Sequence, residues 1–94
     1  MQEIVLSGAH WTTPDDLYNA LLPSLGAPDW HGHNLDALWD SITRGGINLV
    51  NPPFTVRITG VAVMPPNCKA LVDRFVALLS EARAEGFAVD VVCQ

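Results

Sequence analysis

The spacing of apolar residues along the chain predicts three strands and three helices. Short apolar runs rich in β-branched residues predict the strands, at 3–7, 54–60 and 87–93. Apolar residues at helical spacing predict the helices, at 12–26, 34–43 and 66–85. Strands separated by helices favour crossover connections. The pattern therefore predicts an α/β fold, a three-stranded parallel β-sheet flanked by α-helices in the order β-α-α-β-α-β.

Capping residues and helix breakers predict where two of these helices begin and end. Thr13 is the expected N-cap of the first helix. Pro23 and Gly26 are both expected to limit the length of that helix. Gly86 supplies the left-handed stop after the long third helix.

The size and charge of the chain exclude several classes of function. Ninety-four residues without a repeat or a linker suit one domain, which we place over residues 1–94. Ten acidic residues against five basic ones give a formal net charge of −5. Direct nucleic-acid binding and binding to anionic membranes need a cationic surface, so the charge argues against both and favours a basic partner.

The cysteines and the start of the chain bear on its location. Cys68 and Cys93 form no zinc-ligand or CxxC pattern, and we interpret both as reduced thiols in the core. The first ten residues lack the cationic and long apolar segments of a signal peptide, and no stretch approaches the roughly 20 apolar residues that span a bilayer. We expect a cytoplasmic protein with no membrane contact.

The predicted second helix, "NLDALWDSIT" at 34–43, begins at a capping asparagine, Asn34, and has two distinct faces. Its apolar side consists of Leu35, Leu38 and Ile42. At about 100° per residue, a separate strip about 60° wide carries Asp36, Asp40 and Thr43, with Trp39 between the two sides. One face can therefore dock on the core while the other presents two carboxylates and a hydroxyl.

This acidic strip is unfavourable for an isolated helix. Like charges at positions i and i+4 cost about 0.2–0.5 kcal/mol. Asp36 is compensated by the helix dipole because it lies near the N-terminus, but Asp40 is not, and aspartate has a poor helix propensity. The strip is either a solvated helix face or a surface kept for binding.

The preceding loop, residues 27–33, also allows more than one interpretation. Trp30 and His31 can present flat rings beside the acidic strip for stacking on a partner, or Trp30 can pack half-buried over the core. His31 and His33 together with Asp36 and Asp40 resemble a metal-ligand set only weakly. A small metal-dependent hydrolase is thus an alternative, but we expect no metal and no cofactor.

Three segments resemble one known family. The block "WHGHNLDALWDSIT" at 30–43 is similar to the signature of the barstar family, small intracellular inhibitors of microbial ribonucleases. The segment "EARAEGFAVDVV" at 81–92 resembles the family's final helix, glycine and strand, and "EIVLSG" at 3–8 resembles its opening strand. The resemblance covers most of the chain, and the fourteen-residue block is its specific part.

The resemblance implies a function without catalysis. Members of the family plug the active site of the nuclease with the acidic helix and the loop before it, on the same fold that the pattern predicts. Asp40 would be the principal anion in the basic pocket, and Asp36 a second anion at its rim. The implied partner-binding residues are Trp30, His31, Gly32, Asn34, Asp36, Trp39, Asp40, Thr43, Arg44 and Glu81.

The implied partner is a basic microbial ribonuclease or ribonuclease-type toxin, bound one-to-one by an inhibitor that is a monomer when free. Two positions depart from the family pattern: Arg44 stands where a small residue is usual, and Trp30 stands where a tyrosine is usual. Arg44 places a cation beside the acidic strip. The alternative function is an acidic protein-interaction domain that binds a basic toxin or regulator other than a ribonuclease.

Overall fold

The secondary structure follows the predicted order in a computed structural model that describes residues 2–94. The strands are β1 (Gln2–Ser7), β2 (Phe54–Thr59) and β3 (Val89–Cys93). The helices are α1 (Asp15–Leu25), α2 (Leu35–Arg44) and α3 (Pro66–Ala84). The predicted α/β fold with one three-stranded parallel sheet is confirmed.

The sheet has the strand order β1-β2-β3, and one of its two faces forms the core. Ile4 lies opposite Val56, and Val56 lies opposite Val91, so alternate residues of all three strands point toward the helices. The other face is more exposed, and there Arg57 donates a hydrogen bond to Glu3 at 3.2 Å. Most parallel sheets are covered on both faces. In this fold, by contrast, the core lies in a single layer between one face of the sheet and the helices.

The start of α1 differs from the prediction. Thr13 was expected to be the N-cap, but the N-cap residue is Pro14 and no side-chain cap hydrogen bond forms. Instead Asp16, in the first turn, accepts hydrogen bonds from the backbone N–H groups of Thr12 at 2.8 Å and Thr13 at 3.1 Å. These bonds hold the pKa of the Asp16 carboxyl below its ordinary value of 3.8. The prediction was wrong because the Asp16 carboxylate binds the backbone of the loop before α1, whereas the Thr13 side chain forms no cap hydrogen bond with the helix.

The end of α1 is set by Gly26 and not by Pro23. The helix continues through Pro23, in its last turn, where a proline removes only one backbone hydrogen bond. Gly26 ends the helix, as predicted, and it does so in the left-handed conformation with φ of 66°. A Cβ at this position would also lie 2.7 Å from the Cβ of Leu49, so the glycine makes room for the segment after α2.

The two cysteines occupy different environments. Cys68 is buried in the core, and burial raises the pKa of its thiol. Cys93 is exposed, so the prediction that both are core thiols is wrong for Cys93, which ends the last strand. Both are free. Along residues 2–94, no helix combines the length and apolar character that crossing a bilayer requires.

Candidate functional site

Helix α2 is fixed at its start by a side-chain cap and along its length by apolar burial. Asn34 has an extended backbone and its Oδ1 accepts a hydrogen bond from the N–H of Ala37 at 2.7 Å. Leu38 and Ile42 are buried in the core cluster. Because these contacts fix the rotation of the helix about its axis, the opposite strip faces solvent.

Asp36 and Asp40 are both exposed on that strip, one helical turn apart. Within residues 2–94, no lysine, arginine or histidine nitrogen lies within 4.0 Å of either carboxylate. The ion pairs of the described chain lie elsewhere: Asp15 with His33, Glu3 with Arg57, and Asp90 with Arg83. The two carboxylates are therefore available to an external cation.

The last turn of α2 carries two further predicted polar contacts, Thr43 and Arg44. Arg44 is exposed, forms none of the ion pairs above, and lies where a cation interacts favourably with the negative end of the helix dipole. The hydroxyl of Thr43 donates to the carbonyl of Trp39 at 2.8 Å, so its oxygen can only accept a hydrogen bond from a partner. Trp39 itself is partly buried against the core.

The loop before α2 separates the two rings that one interpretation of the sequence placed together on the surface. Trp30 is 75% exposed, whereas His31 is only 6% exposed. Nδ1 of His31 lies 2.8 Å from the carbonyl of Gly32, and Nε2 lies 2.9 Å from the hydroxyl of Ser41. The interpretation in which His31 presents its ring beside the acidic strip is therefore wrong, because both ring nitrogens have partners inside the protein. Since a carbonyl only accepts, Nδ1 carries the hydrogen.

The bonds of His31 belong to a buried polar cluster that the sequence analysis missed, formed by His31, Ser41 and Asn48. The Nδ2 of Asn48 donates to the hydroxyl oxygen of Ser41 at 3.0 Å. The Ser41 hydroxyl also lies 3.0 Å from the carbonyl oxygen of Leu38. The hydroxyl proton therefore has two acceptors within reach, that carbonyl and Nε2 of His31. The only sequence signal for this cluster was a serine beside the apolar side of α2, which did not identify either partner.

Gly32 acts through the absence of a side chain. A Cβ at this position would lie 2.9 Å from the Nδ2 of Asn34 and 3.3 Å from the Cβ of Ala37. The first distance is shorter than normal van der Waals contact allows. Gly32 therefore leaves the space that the cap of α2 occupies.

Glu81 is exposed on α3 and lies beside α2. It lines the same groove as Asp36, an open cavity of about 300 Å³. The full lining is Leu35, Asp36, Arg74, Ala77, Leu78 and Glu81. The structure thus brings two of the predicted acidic residues to one groove, together with one cation, Arg74.

The residues considered as metal ligands do not come together. His33 pairs with Asp15 of α1 through its Nδ1 at 2.7 Å, and its ring stacks on Tyr18 with the centroids 5.6 Å apart. His31 is bound inside the buried cluster. In the described part of the chain, no group of three or more histidine, cysteine, aspartate or glutamate side chains is placed to hold a metal ion.

Two comparisons with known proteins identify the family. The family model described as "Barstar (barnase inhibitor)" matches residues 1–94, the whole of the given sequence. A protein of Bacillus subtilis (strain 168) named "Putative ribonuclease inhibitor YrdF" is 29% identical over 85 residues, which cover 90% of this chain and 89% of that protein. The similarity thus extends over the sheet, the acidic helix and α3 alike. The chain belongs to the barstar family.

Proposed function

We propose that this protein is a cytoplasmic inhibitor of a basic microbial ribonuclease similar to barnase. It binds the enzyme one-to-one and covers the active site with α2 and the loop before it. It acts as an antitoxin or immunity-type protein and performs no catalysis. Family membership supports a ribonuclease-inhibitor role in general terms, and the geometry of α2 supports the specific mechanism.

The observation that carries the proposal is the exposed, unpaired state of Asp36 and Asp40. A ribonuclease gathers cationic groups around the phosphate that it cleaves, and these groups repel one another until an anion arrives. Two carboxylates held one turn apart on a capped helix can take the place of that anion. Charge-assisted hydrogen bonds that arginine donates to a carboxylate are short and often bidentate, so they favour a cationic partner over a neutral one.

The other predicted contacts fit a basic partner in different ways. The oxygen of Thr43 is restricted to accepting, which matches a partner rich in donors. Glu81 extends the negative surface across the groove to α3. Arg74 lines the same groove and offsets part of the negative charge there. Trp30 supplies a large exposed ring of the kind that anchors interfaces. Arg44 is the one residue of the set whose charge opposes the partner.

The test is inhibition of RNA cleavage by purified barnase, with two matched aspartate variants. Asp40→Ala is expected to raise the inhibition constant at least about 30-fold, which corresponds to a loss of about 2 kcal/mol of binding free energy. A loss of that size defines a hot spot, and the barnase–barstar pair is itself one of the examples behind that definition. Asp73→Ala removes another exposed helical aspartate, on α3, and is expected to leave inhibition unchanged. The free energy of unfolding of Asp40→Ala should be equal to that of the wild type or up to about 1 kcal/mol higher, because a poor helix former and a like-charge pair are removed.

An unchanged inhibition constant in Asp40→Ala contradicts the mechanism. If the protein binds a basic protein tightly but RNA cleavage continues, the alternative of a general acidic interaction domain is favoured instead. If equal losses occur in Asp40→Ala and Asp73→Ala, the attraction depends on net charge and not on α2.

A further inference from the structure

We infer that His33 is a positioning residue for inhibition: it fixes to α1 both the loop before α2, which carries Trp30, and the first turn of α2, which carries Asp36. This inference rests on the proposed function and deepens it, because it concerns how the contact surface is held and not which residues touch the enzyme. His33 is not among the partner-binding residues that the family resemblance implies.

His33 is bound to α1 by two different contacts. Its Nδ1 lies 2.7 Å from one carboxylate oxygen of Asp15, and its ring stacks on Tyr18 with the centroids 5.6 Å apart and the planes at 25°. Both partners are themselves fixed. The other carboxylate oxygen of Asp15 accepts a hydrogen bond from the side-chain amide of Asn19 at 3.3 Å, and Tyr18 is buried. An exposed ion pair alone often contributes little, but here ring and nitrogen are held together on one helix.

This attachment lies where close packing does not hold the loop on α1. An open cavity of about 250 Å³ is lined by Tyr18 and Leu22 on the helix and by Pro28, Asp29 and His33 in the loop. Helix α2 also packs more closely on α3 than on α1. The contacts of His33 therefore bridge a gap at the point where the loop enters α2.

The position of His33 in the chain links this attachment to the contact surface. Asn34, the cap of α2, follows it directly, and Trp30 and Asp36 are each three residues away. His31 holds the same loop to α2 through the buried cluster. One histidine thus fixes the loop to α2 and the other fixes it to α1. If the attachment to α1 opens, the binding-competent fraction falls, and the inhibition constant rises by the inverse of that fraction.

The bond to Asp15 makes the attachment depend on pH. A histidine side chain ordinarily changes its charge between about pH 8 and pH 5, whereas an aspartate is ordinarily ionised over that whole range. With a charged His33, Coulomb attraction is added to the hydrogen bond with Asp15. The attachment is therefore stronger at the acidic end of this range.

The titratable and charged groups on the elements near His33 do not share this behaviour. They are Asp15 and Tyr18 on α1, Asp29 and His31 in the loop, Asp36 on α2 and Arg74 on α3. Burial raises the pKa of Tyr18, so its phenol stays neutral. Both ring nitrogens of His31 are bound inside the protein, and an arginine keeps its charge at every pH of the test. A variant of His33 therefore isolates the charge of that one ring.

The test measures inhibition of RNA cleavage by barnase at pH 8 and at pH 5.5, for the wild type and for His33→Asn, which has neither the ring nor the charge. The ratio of the two inhibition constants cancels the titration of the enzyme itself. His33→Asn is expected to raise the inhibition constant about two- to threefold at pH 8, and by a factor about two to five times larger at pH 5.5. His10→Asn is the control, because His10 is also exposed but forms none of the ion pairs of the described chain; its ratio should stay below about 1.5 at both pH values.

A variant of the partner residue separates positioning from direct contact with the enzyme. Asp15→Asn should reproduce the pH-dependent loss of His33→Asn, and the double variant should lose no more than either single one, because both changes remove the same bond. Asp73→Asn removes an equal charge from α3 and should not reproduce it. Circular dichroism at both pH values shows that each variant is folded.

A ratio for His33→Asn that stays constant or falls from pH 8 to pH 5.5 would overturn the inference, since a falling ratio means that the ring acts only as a positive charge facing a basic enzyme. The inference is also overturned if Asp15→Asn inhibits like the wild type, or if the losses of the two variants add. In each of these cases a loss in Asp40→Ala leaves the proposed function standing. If the wild-type protein does not inhibit barnase, the proposed function and this inference both fall.

Discussion

The side-chain amide of Asn34 occupies the space into which a β-carbon on Gly32 would project, with 2.9 Å between that carbon and Nδ2. Gly32→Ala should therefore displace Asn34 from its bond to Ala37 and lower the free energy of unfolding by about 1 kcal/mol, the usual value of an N-cap. Asn34→Ala should lower it by a similar amount. Urea unfolding of both variants and of the double variant measures these effects. Since both changes remove the same cap, fully additive losses would contradict the explanation.

The buried hydroxyl of Ser41 predicts an unequal effect of two similar substitutions. Ser41→Ala leaves His31 and Asn48 without a shared partner in the core, so the free energy of unfolding should fall by about 1–3 kcal/mol. Ser24→Ala is the control: its hydroxyl also donates to a helix carbonyl, that of Ala20 at 2.9 Å, but it is exposed. The change there should stay within about 0.5 kcal/mol. Chemical denaturation compares the two, and equal losses would mean that burial of the cluster contributes nothing.

The carboxylate of Asp16 predicts a pH-dependent part of the stability. Hydrogen bonds from the backbone N–H groups of Thr12 and Thr13 hold its pKa in the folded protein below the ordinary value of 3.8. The stabilisation is therefore fully present above about pH 5 and is lost as the pH falls through the ordinary value and then the folded value. The stability difference between the wild type and Asp16→Asn should shrink over that window. Denaturation at pH 7, 5, 4 and 3 measures it, and a difference that stays constant would contradict this assignment.

The net charge of −5 predicts the kinetics of association with a basic enzyme. Raising the ionic strength from about 0.01 M to about 0.5 M shortens the Debye length from about 30 Å to less than 8 Å. The association rate constant with barnase should fall at least about tenfold, whereas the dissociation rate constant should change much less; the barnase–barstar pair is itself a standard example of such steering. Stopped-flow mixing at several salt concentrations gives both constants. An association rate independent of salt would contradict electrostatic steering.

The fold was predictable because the residues that determine it act locally or with a regular period. The alternation of buried and less buried residues in β2 and the helical spacing of apolar residues in α3 are visible in the sequence. The end of α3 needs only a residue that accepts a positive φ, and Gly86 has φ of 99°. The errors occurred where the interaction partner was not local. Thr13 does not cap α1, because its backbone N–H is bound by the carboxylate of Asp16, three residues later. Cys93 is exposed because β3 ends at this residue, at the surface.

The candidate site was predictable on one side of α2 only. The exposed strip follows from the angles between Asp36, Asp40 and the buried Leu38, which the helix period gives directly. The burial of His31 did not follow, because it depends on Ser41, ten residues away in the chain. Loop residues such as Leu49 have no period at all, so their exposure was known only from the tertiary structure.

The unpaired carboxylate of Asp40 has a consequence for the evolution of relatives. Under the proposed function, a lineage that retains the ribonuclease is expected to keep this residue although it adds nothing to folding. In a lineage that has lost the enzyme, substitutions at this position would be neutral or mildly advantageous, so drift there should begin before drift in the core. The residue at this one helix position would then indicate which descendants still have an enzyme to restrain.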